Sequence, residues 1–233
     1  MLRRTTGGSV KAVARVLAFG LVELVVFGLV LFLLAGTLNF WQAWAFLVVF
    51  ALSTWIPSIY LQRADPAAHQ RRKRAGPAAE TRTVQKVLIA CWYVSLAAMV
   101  VVSALDHRFS WSSVPPAICV AGDVLVAVGL GVTSLVVIQN SFAASTVQVE
   151  TGQKLISTGL YGLVRHPMYT GNVLTIVGFP LALGSYWGLV PVVPGLIMLI
   201  VRIRDEEKLL VEELDGYREY AQKARYRLVP YMW

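Results

Sequence analysis

The sequence predicts an all-α integral membrane protein with about six transmembrane helices, the last two short and read as a hairpin, followed by a cytoplasmic C-terminal amphipathic helix. Three observations carry this. Of 233 residues, 57% are hydrophobic and only 15% charged, whereas a soluble domain carries about 25% charged residues. The apolar residues are clumped into runs long enough to cross a bilayer. Lys and Arg gather between alternate runs. The same composition excludes disorder. A net charge of +8 would by itself suggest nucleic acid, but these cations sit between apolar runs and read as topology. No nucleic-acid partner is expected; the basic Arg71-Arg72-Lys73-Arg74 stretch reads as a loop touching anionic headgroups of membrane lipids.

The first run is about Val13 to Leu34, preceded by Arg3, Arg4, Lys11 and Arg15. A signal peptide has an apolar region of only about 7–15 residues, so this longer run reads as a retained helix. The second run is about Trp41 to Leu61, with Trp41 and Trp44 at the interface; the third is Val87 to Leu105 and the fourth Ala117 to Ile138. The last region, about Tyr169 to Ile203, exceeds one span of roughly 20 residues. Pro180, Gly184, Gly188, Pro191 and Pro194 interrupt it. Two short helices turning near Gly184 to Gly188 are expected, with one kinked, tilted helix as the alternative. Residues 1–86 form an N-terminal two-helix region with a basic loop, and residues 87–233 a core carrying the C-terminal motifs.

Alternate segments hold 20 of the 21 Lys and Arg residues. The positive-inside rule then places both termini, the Arg71 loop and the Gln139 to Met168 segment in the cytoplasm. Six spans satisfy this arrangement and five do not. Cys91 and Cys119 fall inside apolar runs, which argues against a disulfide framework or a zinc site. No two of the three histidines are spaced to bind a metal, and His69 and His107 read as solvated loop residues. Gly129-Leu130-Gly131 has no strand before it, so its small residues read as helix packing and not as a dinucleotide fingerprint. Glu23 and Asp123 are intramembrane carboxylates that read as helix-packing groups or as protonated in lipid.

Two constellations carry the chemistry. The segment Ser157 to Gly171 concentrates Gly159, Gly162, Tyr161, Arg165, His166, Pro167 and Tyr169 just before an apolar run. Proline pushes the preceding residue toward extended backbone and favours the first helical position, so a helix is expected to begin at Pro167 with His166 as its cap. Its free N–H groups and positive dipole end make an anion site. The second constellation is Arg202 with Glu206 and Glu207. Arg202 and Glu206 are four residues apart and share one helix face, which by itself fits a stabilising ion pair equally well. Leu209, Leu210, Leu214, Tyr217 and Tyr220 follow with roughly helical spacing, read as an amphipathic helix on the cytoplasmic face.

Taken together, these elements resemble the isoprenylcysteine carboxyl methyltransferase family and, more widely, the membrane phospholipid methyltransferases. The resemblance rests on Gly159 with Tyr161, Arg165 to Gly171, Arg202 with Glu206 and Glu207, Tyr217 with Tyr220, and Arg227 to Pro230, in that order. It covers roughly Asn140 to the C-terminus. It implies S-adenosylmethionine as methyl donor in a cytoplasm-facing pocket. Carried over by position, Leu155, Ile156, Tyr161, His166, Pro167, Met168, Tyr169 and Glu206 line that pocket, with Gln148 a looser match. Gln153 stands where the family often has histidine. Arg202 faces the methyl acceptor, so Arg202 and Glu206 are the expected catalytic pair, with no metal.

The resemblance thus implies methyl transfer to a lipophilic acceptor drawn from the bilayer, with isoprenylcysteine-type carboxyl O-methylation first and phospholipid or amine N-methylation second. A different class, the NADPH-dependent sterol reductases, carries a similar Arg-His-Pro element. A non-catalytic membrane transporter is the third reading.

Overall fold

The computed structural model describes residues 6–66, 69–70, 80, 82–140, 142–143 and 153–233. The chain is helical throughout its membrane region: α1 (Thr6–Ala35), α2 (Trp41–Ala64), α3 (Thr83–Phe109), α4 (Pro116–Gln139), α5 (Pro167–Ala182), α6 (Val192–Glu213) and α7 (Tyr217–Lys223). Short 3-10 turns lie at Gly159–Gly162 and Trp187–Leu189.

Among the described residues, five stretches are long and apolar enough to cross a membrane: Ala12–Ala35, Trp41–Ala64, Thr83–Phe109, Pro116–Gln139 and Trp187–Glu213. The sixth expected span is α5. Its 16 residues extend only about 24 Å, short of a hydrocarbon core of about 30 Å. The expected hairpin is present, with Gly184 in the left-handed region at φ +69°. Only its first helix is short, however. Pro180 lies inside α5 and Pro191 caps α6, so neither proline breaks a helix, and α6 runs 22 residues.

Helix α5 finds its place by close backbone approach to α4. A Cβ on Gly129 would stand 2.5 Å from the Gly171 carbonyl oxygen, one on Gly171 2.6 Å from that of Gly129, and one on Gly178 2.7 Å from that of Gly122. Small residues at such contacts replace the hydrophobic driving force that lipid does not supply. Gly131 faces open space, so Gly129 alone of that pair serves packing. Around this seam, Phe27, Phe46 and Phe179 meet with ring centroids 4.8–6.0 Å apart, within a core that includes Leu31, Met99, Val126 and Ile176. Many apolar side chains on α1 to α4, such as Val22, Leu33, Val48, Val94 and Val124, are exposed, as lipid-facing surfaces require.

The two ends of the bundle are pinned differently. At one end, buried Asp106 accepts hydrogen bonds from the Ser112 backbone N–H (2.7 Å), the Ser112 hydroxyl (2.7 Å) and the Ser185 hydroxyl (2.5 Å). This ties the α3–α4 loop to the α5–α6 turn. Here half-buried His107 stacks on Phe40 at 3.7 Å, so it packs and is not a free loop residue; His69, 7% exposed, is buried. At the other end, Arg82, the N-cap of α3, and Gln85 within it grip Asp205 of α6 at 2.9 Å and 2.5 Å. Arg63, Lys86, Arg204 and Lys208 also lie toward this end of their helices.

Candidate functional site

Pro167 starts α5, and His166 before it is extended at φ −125°, as expected from the proline. The C-terminal segment holds this helix start. Arg165 N–H donates to the Tyr226 carbonyl and His166 N–H to that of Arg227, both at 2.9 Å. The Thr170 hydroxyl donates to the Leu228 carbonyl at 2.7 Å. No side chain caps α5, so its positive end is left for another acceptor.

Behind the turn lies Glu207, buried on α6. It accepts from Arg227 Nε at 2.8 Å, pairs with Arg165 Nη1 at 3.2 Å, and has His166 Nε2 at 3.2 Å. One carboxylate thereby fixes three cationic or potentially cationic side chains, two of them in the Arg-His-Pro element.

Glu206 points another way. The Tyr169 hydroxyl donates to Glu206 Oε2 at 2.5 Å and accepts from Arg202 Nε at 2.9 Å. The expected Arg202–Glu206 partnership therefore runs through a phenol from α5. The sequence spacing gave the shared helix face but not the intermediary.

These groups border a cleft at the cation-rich end of the bundle. It is lined by Asn140, Phe142, Ala143, Gln153, Lys154, Leu155, Ile156, Tyr161, Arg165, His166, Met168, Tyr169, Glu206, Leu209, Leu210, Leu214, Tyr217 and Tyr220. The space within it, open solvent at its mouth included, is about 820 Å³. One wall is the 3-10 turn. Gly159 adopts φ +62° there, and Gln139 accepts from the Leu160 N–H at 3.2 Å. Asn140 donates to the Tyr161 hydroxyl at 3.2 Å, and the Tyr220 hydroxyl donates to the Tyr161 carbonyl at 2.7 Å. Burial pushes the Tyr161, Tyr217 and Tyr220 phenols above their usual pKa of 10, so all three remain hydrogen-bond donors.

Of the sequence-derived residues, Leu155, Ile156, Tyr161, His166, Met168, Tyr169 and Glu206 line this cleft. Two do not. Pro167 is buried and sets the helix start from behind the wall, and Arg202, 9% exposed, sits behind Tyr169. Gln148 lies outside the described residues. Glu23 is exposed on α1 and Asp123 buried on α4, neither at the cleft.

Sequence reasoning passed over Asn140, Arg165 and the apolar stripe of the C-terminal helix. All five of Leu209, Leu210, Leu214, Tyr217 and Tyr220 line the cleft. Gly216, at φ +80°, breaks the expected amphipathic helix into the end of α6 and the short α7, which turns the stripe inward. A second groove, between α2 and α4, is lined by Ser53, Thr54, Ser58, Leu61, His69, Thr133, Ser134 and Val137 among others. Met168 packs on Leu61 and Val137, so it stands between groove and cleft.

Residues 117–216 match the family model described as phospholipid methyltransferase. The chain is also similar to the Delta(14)-sterol reductase of Mus musculus, 32% identical over 92 residues, which make up 38% of this chain and 22% of that protein. The chain thus aligns with about a fifth of that relative's length. The matched region runs from α4 to the Gly216 turn and contains both constellations, Arg165 to Gly171 and Arg202 to Glu207, so over this stretch the multi-pass membrane protein is similar to the phospholipid methyltransferases.

Proposed function

We propose that this protein transfers a methyl group from S-adenosylmethionine to a lipophilic acceptor at the cytoplasmic face of the membrane, with isoprenylcysteine-type carboxyl O-methylation the leading reaction. The observation that carries this reading is the convergence of Glu206, Tyr169 and His166 on one cleft, beside a helix start with no side-chain cap.

The cleft fits a zwitterionic nucleoside. It has apolar and aromatic walls from Leu155, Ile156 and Tyr161, an acidic side at Glu206 and a cationic end at Arg165. S-adenosylmethionine supplies an electrophilic methyl group on a sulfonium. The Glu206 carboxylate, held by Tyr169, accepts hydrogen bonds from the donor's amine or ribose. Arg202 holds the Tyr169 phenol from the other side, and its guanidinium matches an acceptor carboxylate bidentately. A carboxylate acceptor needs orientation more than a base. Because opposite charges vanish as its oxygen attacks the methyl carbon, burial of the site does not oppose the reaction. The cytoplasmic orientation rests on the cation asymmetry, and the acceptor's approach from lipid on the membrane-embedded helices that form the cleft floor.

An amine acceptor requires a base to take its proton, for which Glu206 is the candidate in the cleft wall. Similarity to a sterol reductase supports a second reading, an NADPH-dependent reduction at the same cleft. Glu206 argues against it, because a carboxylate in the wall repels the phosphates of a dinucleotide. The test is transfer of radiolabelled methyl groups into membranes with and without the protein. Label in a lipophilic, base-labile product supports O-methylation, and base-stable label supports N-methylation. Absence of protein-dependent label, with NADPH consumed instead, overturns the proposal.

A further inference from the structure

One polar group in the cleft wall has no counterpart among the described residues. Tyr217 is 3% exposed, and its hydroxyl makes no hydrogen bond among the described residues. Its neighbour Tyr220 is satisfied by the Tyr161 carbonyl. Leaving a buried hydroxyl unpaired costs stability, so a group that folds this way needs an outside acceptor. Arg165, on the same cleft, also has a buried Nε with no partner, although its Nη1 pairs with Glu207.

The charges nearby are uneven. Arg165 and Arg227 face the single carboxylate Glu207, which leaves one positive charge before His166 is counted. The 16-residue α5 adds its positive dipole end, uncapped, at the same place. Two unpaired donors, a surplus cation and a helix start together call for an anionic acceptor. The Glu207 and Glu206 carboxylates both act on the Tyr217 phenol, as does the Arg165 cation; Glu206, held by Tyr169, is suited to a cationic group. Lys154 also borders the cleft but is exposed, so water satisfies it.

We propose that the Tyr217 hydroxyl and Arg165 Nε form an anion pocket that receives the carboxylate of the cleft ligand's amino-acid part. This rests on the S-adenosylmethionine reading above. It gives the ligand a direction in the cleft, carboxylate toward Tyr217 and ammonium toward Glu206.

The test is calorimetric titration of the purified full chain and of Tyr217→Phe with S-adenosylmethionine and with its decarboxylated form, alongside melting curves without ligand. The wild type is expected to bind the intact donor more tightly. Tyr217→Phe is expected to lose about tenfold in affinity for the intact donor, the worth of one hydrogen bond to a charged group, and to bind the decarboxylated form unchanged. Its melting temperature without ligand is expected to be equal or higher, because the lost hydroxyl had no partner. An equal loss for both ligands, no loss for either, or a lowered melting temperature overturns the inference while the donor reading stands. A wild type that binds neither ligand overturns both.

Discussion

Tyr169 and Glu206 share a hydrogen bond of 2.5 Å that joins the first turn of α5 to the far half of α6. Because Arg202 donates to the same phenol oxygen at 2.9 Å, Tyr169 orients a carboxylate on the cleft and a guanidinium behind it. The phenol makes this pair a unit: Glu206 borders the cleft while Arg202 lies behind Tyr169.

Tyr169→Phe separates the two. The lost bonds involve charged groups, each worth about 1.5–3 kcal/mol. Turnover is expected to fall about ten- to hundredfold. Glu206→Ala is expected to weaken donor binding by a comparable factor, and Arg202→Ala to lower turnover with donor binding largely kept. Steady-state methyl transfer measured beside calorimetric donor binding separates these outcomes; unchanged turnover in the Arg202 variant removes that residue from the site.

Glu207 is the structural counterpart of Glu206. Removing a buried partner leaves cations uncompensated at a cost of about 3–5 kcal/mol, here Arg165 and Arg227. Glu207→Ala is expected to melt markedly lower and to free the C-terminal segment, measured as faster amide exchange at Arg165 and His166, whose N–H groups bond that segment. Slow exchange at both positions in this variant contradicts the assignment.

The α4–α5 seam gives a matched pair of substitutions. Gly129→Ala places a methyl group against the Gly171 carbonyl and is expected to destabilise by about 1–3 kcal/mol through overpacking. Gly131→Ala meets nothing and is expected to be neutral or to gain up to about 1 kcal/mol in helix propensity. Thermal unfolding in detergent compares them; equal melting temperatures sink the close-approach account.

At the opposite end, Asp106→Ala strips three donors of their acceptor. The cost is expected to be at least about 1.5–3 kcal/mol, with the α5–α6 turn opening first. Cysteine accessibility at Ser185→Cys, buried in the wild type, reports this. Labelling no faster in the Asp106 variant contradicts it.

The spans were legible because hydropathy and cation placement act locally: the first four helices lie where the apolar runs predict, and the hairpin turns where Gly184 allows it. The start of α5 was legible for the same reason, since Pro167 constrains His166 directly. What the sequence concealed was tertiary. The 22-residue length of α6 was hidden because Pro191 and Pro194 fall at its N-cap and first turn, where proline interrupts nothing. The inward turn of Leu209 to Tyr220 hinges on Gly216, and amphipathic spacing does not distinguish a cleft wall from a membrane surface. The roles of Glu207, Tyr217 and the C-terminal segment come from contacts with residues 10 to 60 positions away, which no local pattern encodes.

The central claim is that the cleft between α5 and α6 takes S-adenosylmethionine. Titration of the purified protein with S-adenosylmethionine and, separately, with NADPH tests it most directly. Saturable binding of the methyl donor that weakens in Glu206→Ala is expected, with no comparable binding of NADPH. Saturable binding of NADPH alone would contradict it.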